Sequence, residues 1–391
     1  MKQDSDGGGR NLAIVKDEKK IVLTKPLMFE GESNGDYKAP NILQRILSLF
    51  KNIRPGADLT RFQLPATFNV PKSHLQCYGE SVYCINKDLL TICNQCESPL
   101  ERFTSVVAWS ISTARPTIFG SAPFNSVLGE THHVSSGNLN VLLEQVSHHP
   151  PVSALHATNE KENIELIWCQ HPVAKFYGTS VEAEVHGKRQ LKLHKYKETY
   201  EMNSPKLLIR FLPVPGTEWV GNVRIKCHEN GLEAELCFRG GSLLGRRGRA
   251  IKGKIFESLS MQTLYEIDGH WDRAVSVKDM QKGKRRVIFD AKEILYGLKT
   301  PIVKDSQAVW PSESAAVWAE VSQGILNQEW EKARDAKKSV EEEQRKLLRE
   351  RESAGETWVP KHFNLTQSKE RGWDCSPIQE RVPPAPIVVP L

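Results

Sequence analysis

No run of apolar residues in this chain approaches the ~18 that a membrane span needs. Its opening, MKQDSDGGGRNLAIVKDEKK, holds no apolar core of secretory type. Both absences predict a cytosolic protein. Zinc spacing is missing too. The eight cysteines include one CxxC, Cys93 and Cys96, with Cys77 and Cys84 upstream, but not two close pairs. In a reducing compartment they read as small buried thiols, and no metal is expected. The glycines of RGGSLLGRRGRAIKGK (239–254) are not framed by a strand and a helix, so they form no nucleotide fingerprint or P-loop. No GxSxG nucleophile elbow exists, so nothing points to an enzyme or a cofactor. The net charge of +6 is too small an excess to argue nucleic acid. It suits the surface of an anionic membrane.

What is present is an ordinary globular composition, 39% hydrophobic and 26% charged over 391 residues, enough for one large or two modest domains. Residues 1–38 are polar and Gly-rich and read as a disordered lead. NILQRILSLFKNI (41–53) follows. On a helix Ile42, Ile46, Leu49, Phe50 and Ile53 share one side, widened by Leu43 and Leu47, and Arg54-Pro55-Gly56 ends it. This is a helix on its own core, a lid, or both, and its basic polar side would suit a membrane. Residues 59–76 read as an extended tie-down. SPLERFTSVVAWSIST (98–113) fits helix or strand.

From about 100 to 300 the texture becomes β. NIELIWCQ (163–170), TSVEAEVHGKRQLKL (179–193), KLLIRFLP (206–213), EWVGNVRIKC (218–227) and GLEAELCF (231–238) are short β-branched runs, with turn signals at His186-Gly187 and Asn230-Gly231. Many strands joined by tight turns predict an antiparallel meander. Open twisted sheets rarely exceed ~10 strands, so a meander this long must curl or close into a barrel. A barrel of many strands leaves an interior that side chains cannot fill, a place for an apolar ligand. The fold class is therefore mainly β with helices: a large, nearly closed antiparallel barrel around a hydrophobic tunnel. Residues 313–353 turn helical, first apolar-periodic and then charged throughout. The residues after Trp358, and 366–391 above all, read as an irregular tail. KDMQKGKRR (278–286) is a second basic loop, solvated or in contact with anionic lipid.

EQVSHHPP (144–151) sets His148 and His149 before Pro150 and Pro151. Neighbouring side chains on a strand point to opposite faces, and a helical metal pair needs an i,i+4 spacing, so adjacent histidines suit no metal. The same holds for His132-His133. Two prolines forbid helix and fix the backbone. Two imidazoles aimed at one space would grip an anion; plain packing is the alternative.

EQVSHHPP strongly resembles the signature of the oxysterol-binding protein family. APFNSVLGETHHV (122–134) is similar to that family's KPxNPxLGE segment, and the last helix matches as well. The resemblance covers roughly 40–365. It is to a short member without a pleckstrin-homology region. It implies a barrel with a hydrophobic tunnel, a lid over 39–60 and helices after the barrel. Family members bind sterol or another lipid, or phosphatidylinositol 4-phosphate with its headgroup at the mouth, and several exchange the two between membranes. Carried over by motif, the headgroup residues are His148, His149, Asn125, Lys337, Glu341 and Arg345. The last three are spaced i, i+4, i+8, which puts them on one helical face.

The family lysine before the Pro is Ala122 here. At ~4 Å from a phosphate, a lysine supplies up to ~4 kcal/mol of gross Coulomb energy. Its loss points either to a substitute, such as Arg115 or a basic loop, or to a sterol-only binder. A carrier of another lipid such as phosphatidylserine, or a lipid-responsive scaffold, is the further alternative. VIFDAKE (287–293) faintly resembles the motif that binds VAP proteins of the endoplasmic reticulum, although its upstream flank is basic where that motif is acidic.

Overall fold

The computed structural model describes residues 20–28, 40–241, 248–368 and 372–390. The chain opens with helix α1 (Ile42–Phe50), then strand β1 (Asn69–Ser73) and helices α2 (His74–Tyr83), α3 (Leu89–Gln95) and α4 (Pro99–Ser112). Then come β2 (Ala122–Phe124), β3 (Thr131–Ser136), β4 (Leu139–His148), β5 (Pro151–Asn159), β6 (Ile164–Phe176), β7 (Ser180–His186), β8 (Arg189–Leu193), β9 (Glu198–Met202) and β10 (Lys206–Arg210). The meander continues through β11 (Gly216–Cys227), β12 (Leu232–Arg239), β13 (Ala250–Glu257), β14 (Thr263–His270), β15 (Ala274–Asp279) and β16 (Arg285–Asp290). Last are α5 (Ala291–Leu295), β17 (Ile302–Val303), α6 (Ser314–Val317), α7 (Ala319–Leu326), α8 (Trp330–Ala354), β18 (Phe363–Ser368), β19 (Gly372–Pro377) and β20 (Ile387–Val389).

One 16-stranded sheet runs from β16 back to β3 and ends on β20 and β17. Laid flat, its main path would be more than about 60 Å wide. Yet Val134 of β3 and Phe289 of β16 belong to one buried cluster, together with Leu75, Val107 and Trp109 of α2 and α4. The sheet therefore curls around helices α2 to α4. Its edges, β16 and β17, are not paired with each other, so the barrel is nearly closed rather than closed. A buried fork from Arg102 on α4 to Glu198 on β9, at 2.7 Å to each oxygen, ties helix to sheet.

His74, Cys77 and Tyr78, one face of α2, and Arg115 all keep accessible surface. Each is nonetheless enclosed deeply enough for burial to shift its titration. His74 is held down to about 4, the Cys77 thiol is pushed up to about 12, Tyr78 is raised, and Arg115 is lowered to about 10. Desolvation by the surrounding protein is the first cause of each shift.

Several expectations are corrected here. Of the two readings left open for 98–113, helix is the one found, and the extended tie-down expected over 59–76 gives way at residue 74 to α2, opened by a Ser73/Gln76 capping box. The β region begins at residue 122 rather than 100, because α2 to α4 plug the interior. Of the 1–38 lead, 1–19 and 29–38 lie outside the described residues, but 20–28 is ordered. There the Val22 amide donates to the Ala315 carbonyl at 2.9 Å, Lys72 donates to the Lys25 carbonyl at 2.9 Å, and Met28 is buried. The tail is not irregular: β18 and β19 form a hairpin, and β20 adds to β3 in parallel. VIFDAKE is β16 running into α5 with Phe289 in the core, so it is no accessible linear motif.

Candidate functional site

The lid is built first. Ile46 of α1 is buried against Phe68, Phe176, Val181 and Phe211, with Ile42, Leu49, Phe50 and Ile53 packed around them. Phe50 stacks on Phe176, Phe211 and Phe62 at centroid distances of 5.0, 5.2 and 5.6 Å. Gly120 makes the seat. Its φ is +79°, and a Cβ there would lie 2.5 Å from Ile42 and 3.1 Å from Ile46. Beyond the helix the chain pairs with the end of β6: the Gly56 amide donates to the Phe176 carbonyl at 2.6 Å and the Leu59 amide to the Ala174 carbonyl at 2.8 Å. Helix α1 thus lies across one end of strands β6, β7 and β10.

Beside the lid stands the rim. In EQVSHHPP most of the residues are scaffold. The buried Glu144 carboxylate accepts the Lys361 and His362 amides, each at 2.8 Å. The Gln145 side chain donates to the Ser147 carbonyl at 2.8 Å and accepts from Ser153 at 2.6 Å, spanning a β-bulge between Gln145 and Ser147. The Ser147 hydroxyl donates to the Pro150 carbonyl at 2.7 Å, and the His149–Pro150 peptide is cis. This frame displays His148 and His149, ring centroids 4.4 Å apart and tilted 53°. The His148 Nδ1–H donates to the Ser126 carbonyl at 3.0 Å, which leaves Nε2 free to receive a proton or a ligand. Burial, and then its partner imidazole, hold His148 below the ordinary histidine range, against that hydrogen bond. Burial and the charge of Arg61 lower His149.

The second motif divides the same way. Glu130 is buried and accepts from the Val127 amide at 2.9 Å, Ser314 at 2.6 Å and Trp318 at 2.9 Å. Gly129, at φ +77°, admits the Trp358 ring, which a Cβ would meet at 2.5 Å. Asn125 is exposed, on the strip that runs from Ala122 to Ser126.

That strip joins the two halves of the site. Lys337, buried on α8, donates to Asn69 Oδ1 at 2.8 Å and to the Leu64 carbonyl. Asn69 Nδ2 in turn donates to the Ala122 and Pro123 carbonyls at 3.0 and 3.2 Å. Lys337 is thus linked through Asn69 to one end of the strip and His148 is bonded to the other, and the four residue steps from Ala122 to Ser126 span at most ~14 Å. Burial lowers the Lys337 pKa and the Glu341 charge opposes it, but neither partner that Lys337 holds is an acid. Glu341 pairs with the exposed Arg345 at 3.4 Å, one turn further out. Of the six residues carried over by motif, His148 and, through Asn69, Lys337 are thus linked to the strip that carries Asn125, His149 follows His148, and Glu341 and Arg345 lie one and two turns further along α8.

Two residues at this rim escaped sequence reasoning, Asn69 and Arg61. Neither belongs to a contiguous motif; a cation close behind a lid helix was the one readable signal. Arg115 is not the substitute for the lost lysine, because its Nη2 caps the end of α2, donating to the Glu80 and Cys84 carbonyls at 2.9 and 2.7 Å. His132 and His133 are structural: His132 bridges Glu313 at 2.6 Å and Tyr83 at 2.8 Å, and His133 donates to the Pro383 carbonyl at 2.9 Å.

A curled antiparallel sheet, plugged by helices and covered at one end by a seated helix beside a cationic rim, defines a lidded, nearly closed β-barrel. The model of the oxysterol-binding protein family matches residues 46–380. The chain is 55% identical to oxysterol-binding protein-related protein 4B of Arabidopsis thaliana, covering 95% of this chain and 98% of that protein, and 55% identical to protein 4C, covering 96% and 100%. Its fold matches the Osh1 ORD domain in complex with cholesterol, at a TM-score of 0.73, 22% identity and coverage of 90% and 89%. The Osh3 ORD of Saccharomyces cerevisiae in complex with PI(4)P matches at 0.67, 22% identity and coverage of 90% and 93%. The chain belongs to the oxysterol-binding protein family.

Proposed function

We propose that this chain carries a lipid in a hollow inside its barrel, either a sterol or phosphatidylinositol 4-phosphate with its headgroup at the rim, and passes it between membranes. Pulling a lipid into water costs ~0.8 kcal/mol per CH₂, or ~11 kcal/mol for a 14-carbon chain. A dry hollow under a lid removes most of that barrier, and no bond is made or broken. The acyl chains or the sterol occupy the interior; the phosphate meets His148, His149, Lys337 and Arg345. Asn125 offers a neutral hydrogen bond, and Glu341 orients Arg345 or accepts inositol hydroxyls. Two family folds that hold a sterol and PI(4)P respectively support the pairing of ligands.

One observation carries the headgroup half: Lys337 is a buried ammonium held only by neutral oxygens. Glu341 acts on it only from a distance; a buried cation with no acid in contact is costly, and a phosphate supplies that contact. The chain is read as cytosolic and peripheral to anionic membranes. Its two basic loops support this. Arg239 and Ala250, which flank the first, lie toward the lid end of their strands, while 280–284 joins β15 to β16 at the opposite end. The test is extraction from liposomes. Lys337→Ala should cut uptake of phosphatidylinositol 4-phosphate at least ~10-fold and leave sterol uptake intact. Equal loss of both ligands would reduce Lys337 to a structural residue.

A further inference from the structure

Arg61 lies between the lid and the buried lysine and is tied to both through its neighbours. Phe62 stacks on Phe50 of the lid at 5.6 Å, and its amide donates to the Leu59 carbonyl at 2.8 Å. Three residues on from Arg61, the Leu64 carbonyl receives Lys337. The Arg61 side chain is exposed and has no ion pair or hydrogen bond among the described residues. Its charge reaches His149, where it opposes protonation. The acids nearby are engaged elsewhere. Asp58 accepts from the Thr60 amide at 2.8 Å and feels Lys175, and Glu341 faces Arg345. The rim therefore sets a guanidinium and an ammonium beside two imidazoles, with no carboxylate in contact with either cation among the described residues, although the Glu341 charge reaches Lys337. Like charges held together oppose each other until an anion joins them. Meanwhile Ala122 leaves the strip without its cation.

We infer that Arg61 is the phosphate-binding cation that replaces the lysine missing at position 122. Because Arg61 follows directly on the lid and its neighbour Phe62 stacks on Phe50, it also latches the lid over a phosphorylated headgroup and not over a sterol. This rests on the headgroup reading above and adds a selectivity to it. A guanidinium fork can take two phosphate oxygens at once, which an ammonium at position 122 could not. A lid held partly by its cargo's phosphate opens more slowly on phosphoinositide. The same lid over a sterol is held by apolar packing alone.

The experiment loads the full chain from vesicles containing either phosphatidylinositol 4-phosphate or a fluorescent sterol and measures release into acceptor vesicles. Arg61→Ala should raise the phosphoinositide off-rate about tenfold or more, and change the sterol off-rate by less than about twofold. Arg61→Ala combined with Ala122→Lys should recover most of the loss, since charge returns to the same rim. A phosphoinositide off-rate unchanged in Arg61→Ala overturns the inference. So does equal acceleration of both cargoes, which would mean that Arg61 only packs the lid, and so does failure of Ala122→Lys to rescue. A wild-type chain that takes up sterol but no phosphoinositide sinks the headgroup reading itself and is told apart from these outcomes by that result alone.

Discussion

Replacing Phe50 by Ala tests whether α1 is a lid or a fixed part of the core. Its ring stacks on Phe176 and Phe211 of the barrel end at 5.0 and 5.2 Å, and on Phe62 at 5.6 Å. Fully buried Phe→Ala changes cost 3–5 kcal/mol, and aromatic pairs add ~0.5–1.5 kcal/mol each. Phe50 is half-buried at the rim, which brings the loss to ~2 kcal/mol. That energy is released when the lid lifts, so the open fraction should rise about 30-fold. Off-rates of sterol and phosphoinositide should rise together by that factor, because apolar packing is common to both closed states. A fluorescent sterol leaving loaded protein for quencher-bearing vesicles reports the first, and a headgroup probe in the acceptor vesicles the second. The melting temperature should move little, because α1 packs through its own small cluster, separate from the large interior one. A fall of several degrees with unchanged release would show that α1 belongs to the cooperative core, and the lid argument would fail.

Proton concentration should separate the two cargoes. His148 and His149 are held below the usual histidine range, so both are neutral near pH 7 in the empty rim. A phosphate favours their charged forms, so binding takes up protons. Phosphoinositide affinity should therefore rise as pH falls from 8 toward 6, level off below the empty-state values, and lose its slope in His148→Ala/His149→Ala; sterol affinity should stay flat. A parallel slope for both ligands would assign the dependence to the fold. The scaffold half of the signature predicts the converse. Glu144→Gln leaves one of the Lys361 and His362 amides facing a donor, which costs ~1.5–3 kcal/mol. The melting temperature should drop by a few degrees with the ratio of the two extraction rates unchanged; a selective loss of phosphoinositide would move Glu144 into the site.

The sequence was readable where one face meets water and the other meets the interior. α1 was legible from its apolar stripe, and its observed span, Ile42–Phe50, lies inside the predicted 41–53. The hairpins at Gly187 and Gly231 were legible because those turns demand positive φ, +115° and +68°. Helices α2 and α4 were not, because they lie inside the barrel. A helix enclosed on all sides shows no 3.6-residue contrast, and the SVVAWSIS run of α4 is β-branched enough to resemble a strand. The capping spacing of Ser73 and Gln76 is the one local signal of α2. β20 was hidden for a different reason. Flanked by prolines, Ile387–Val389 is too short a run to read as a strand, and it forms through long-range pairing with Val134–Ser136 of β3.

The site was legible in its members but not in their division of labour. Within one eight-residue signature, Glu144, Gln145 and Ser147 satisfy backbone and side-chain partners of the frame, while His148 and His149 keep ring positions open to solvent and ligand. A motif records the product of both demands, since losing the frame misplaces the imidazoles as surely as losing the imidazoles empties the frame. What separates them is the count of satisfied hydrogen-bonding groups. Glu144 has its oxygens filled by the fold, whereas Lys337 and Arg61 are in contact with no carboxylate among the described residues. By that criterion Arg61, outside every motif, belongs with the displayed residues, and Ala122 shows why the chain needs it. Removing a cation from a strand leaves the rim's requirement for charge in place, and the segment that follows the lid, held against the same strip, is the nearest element able to meet it.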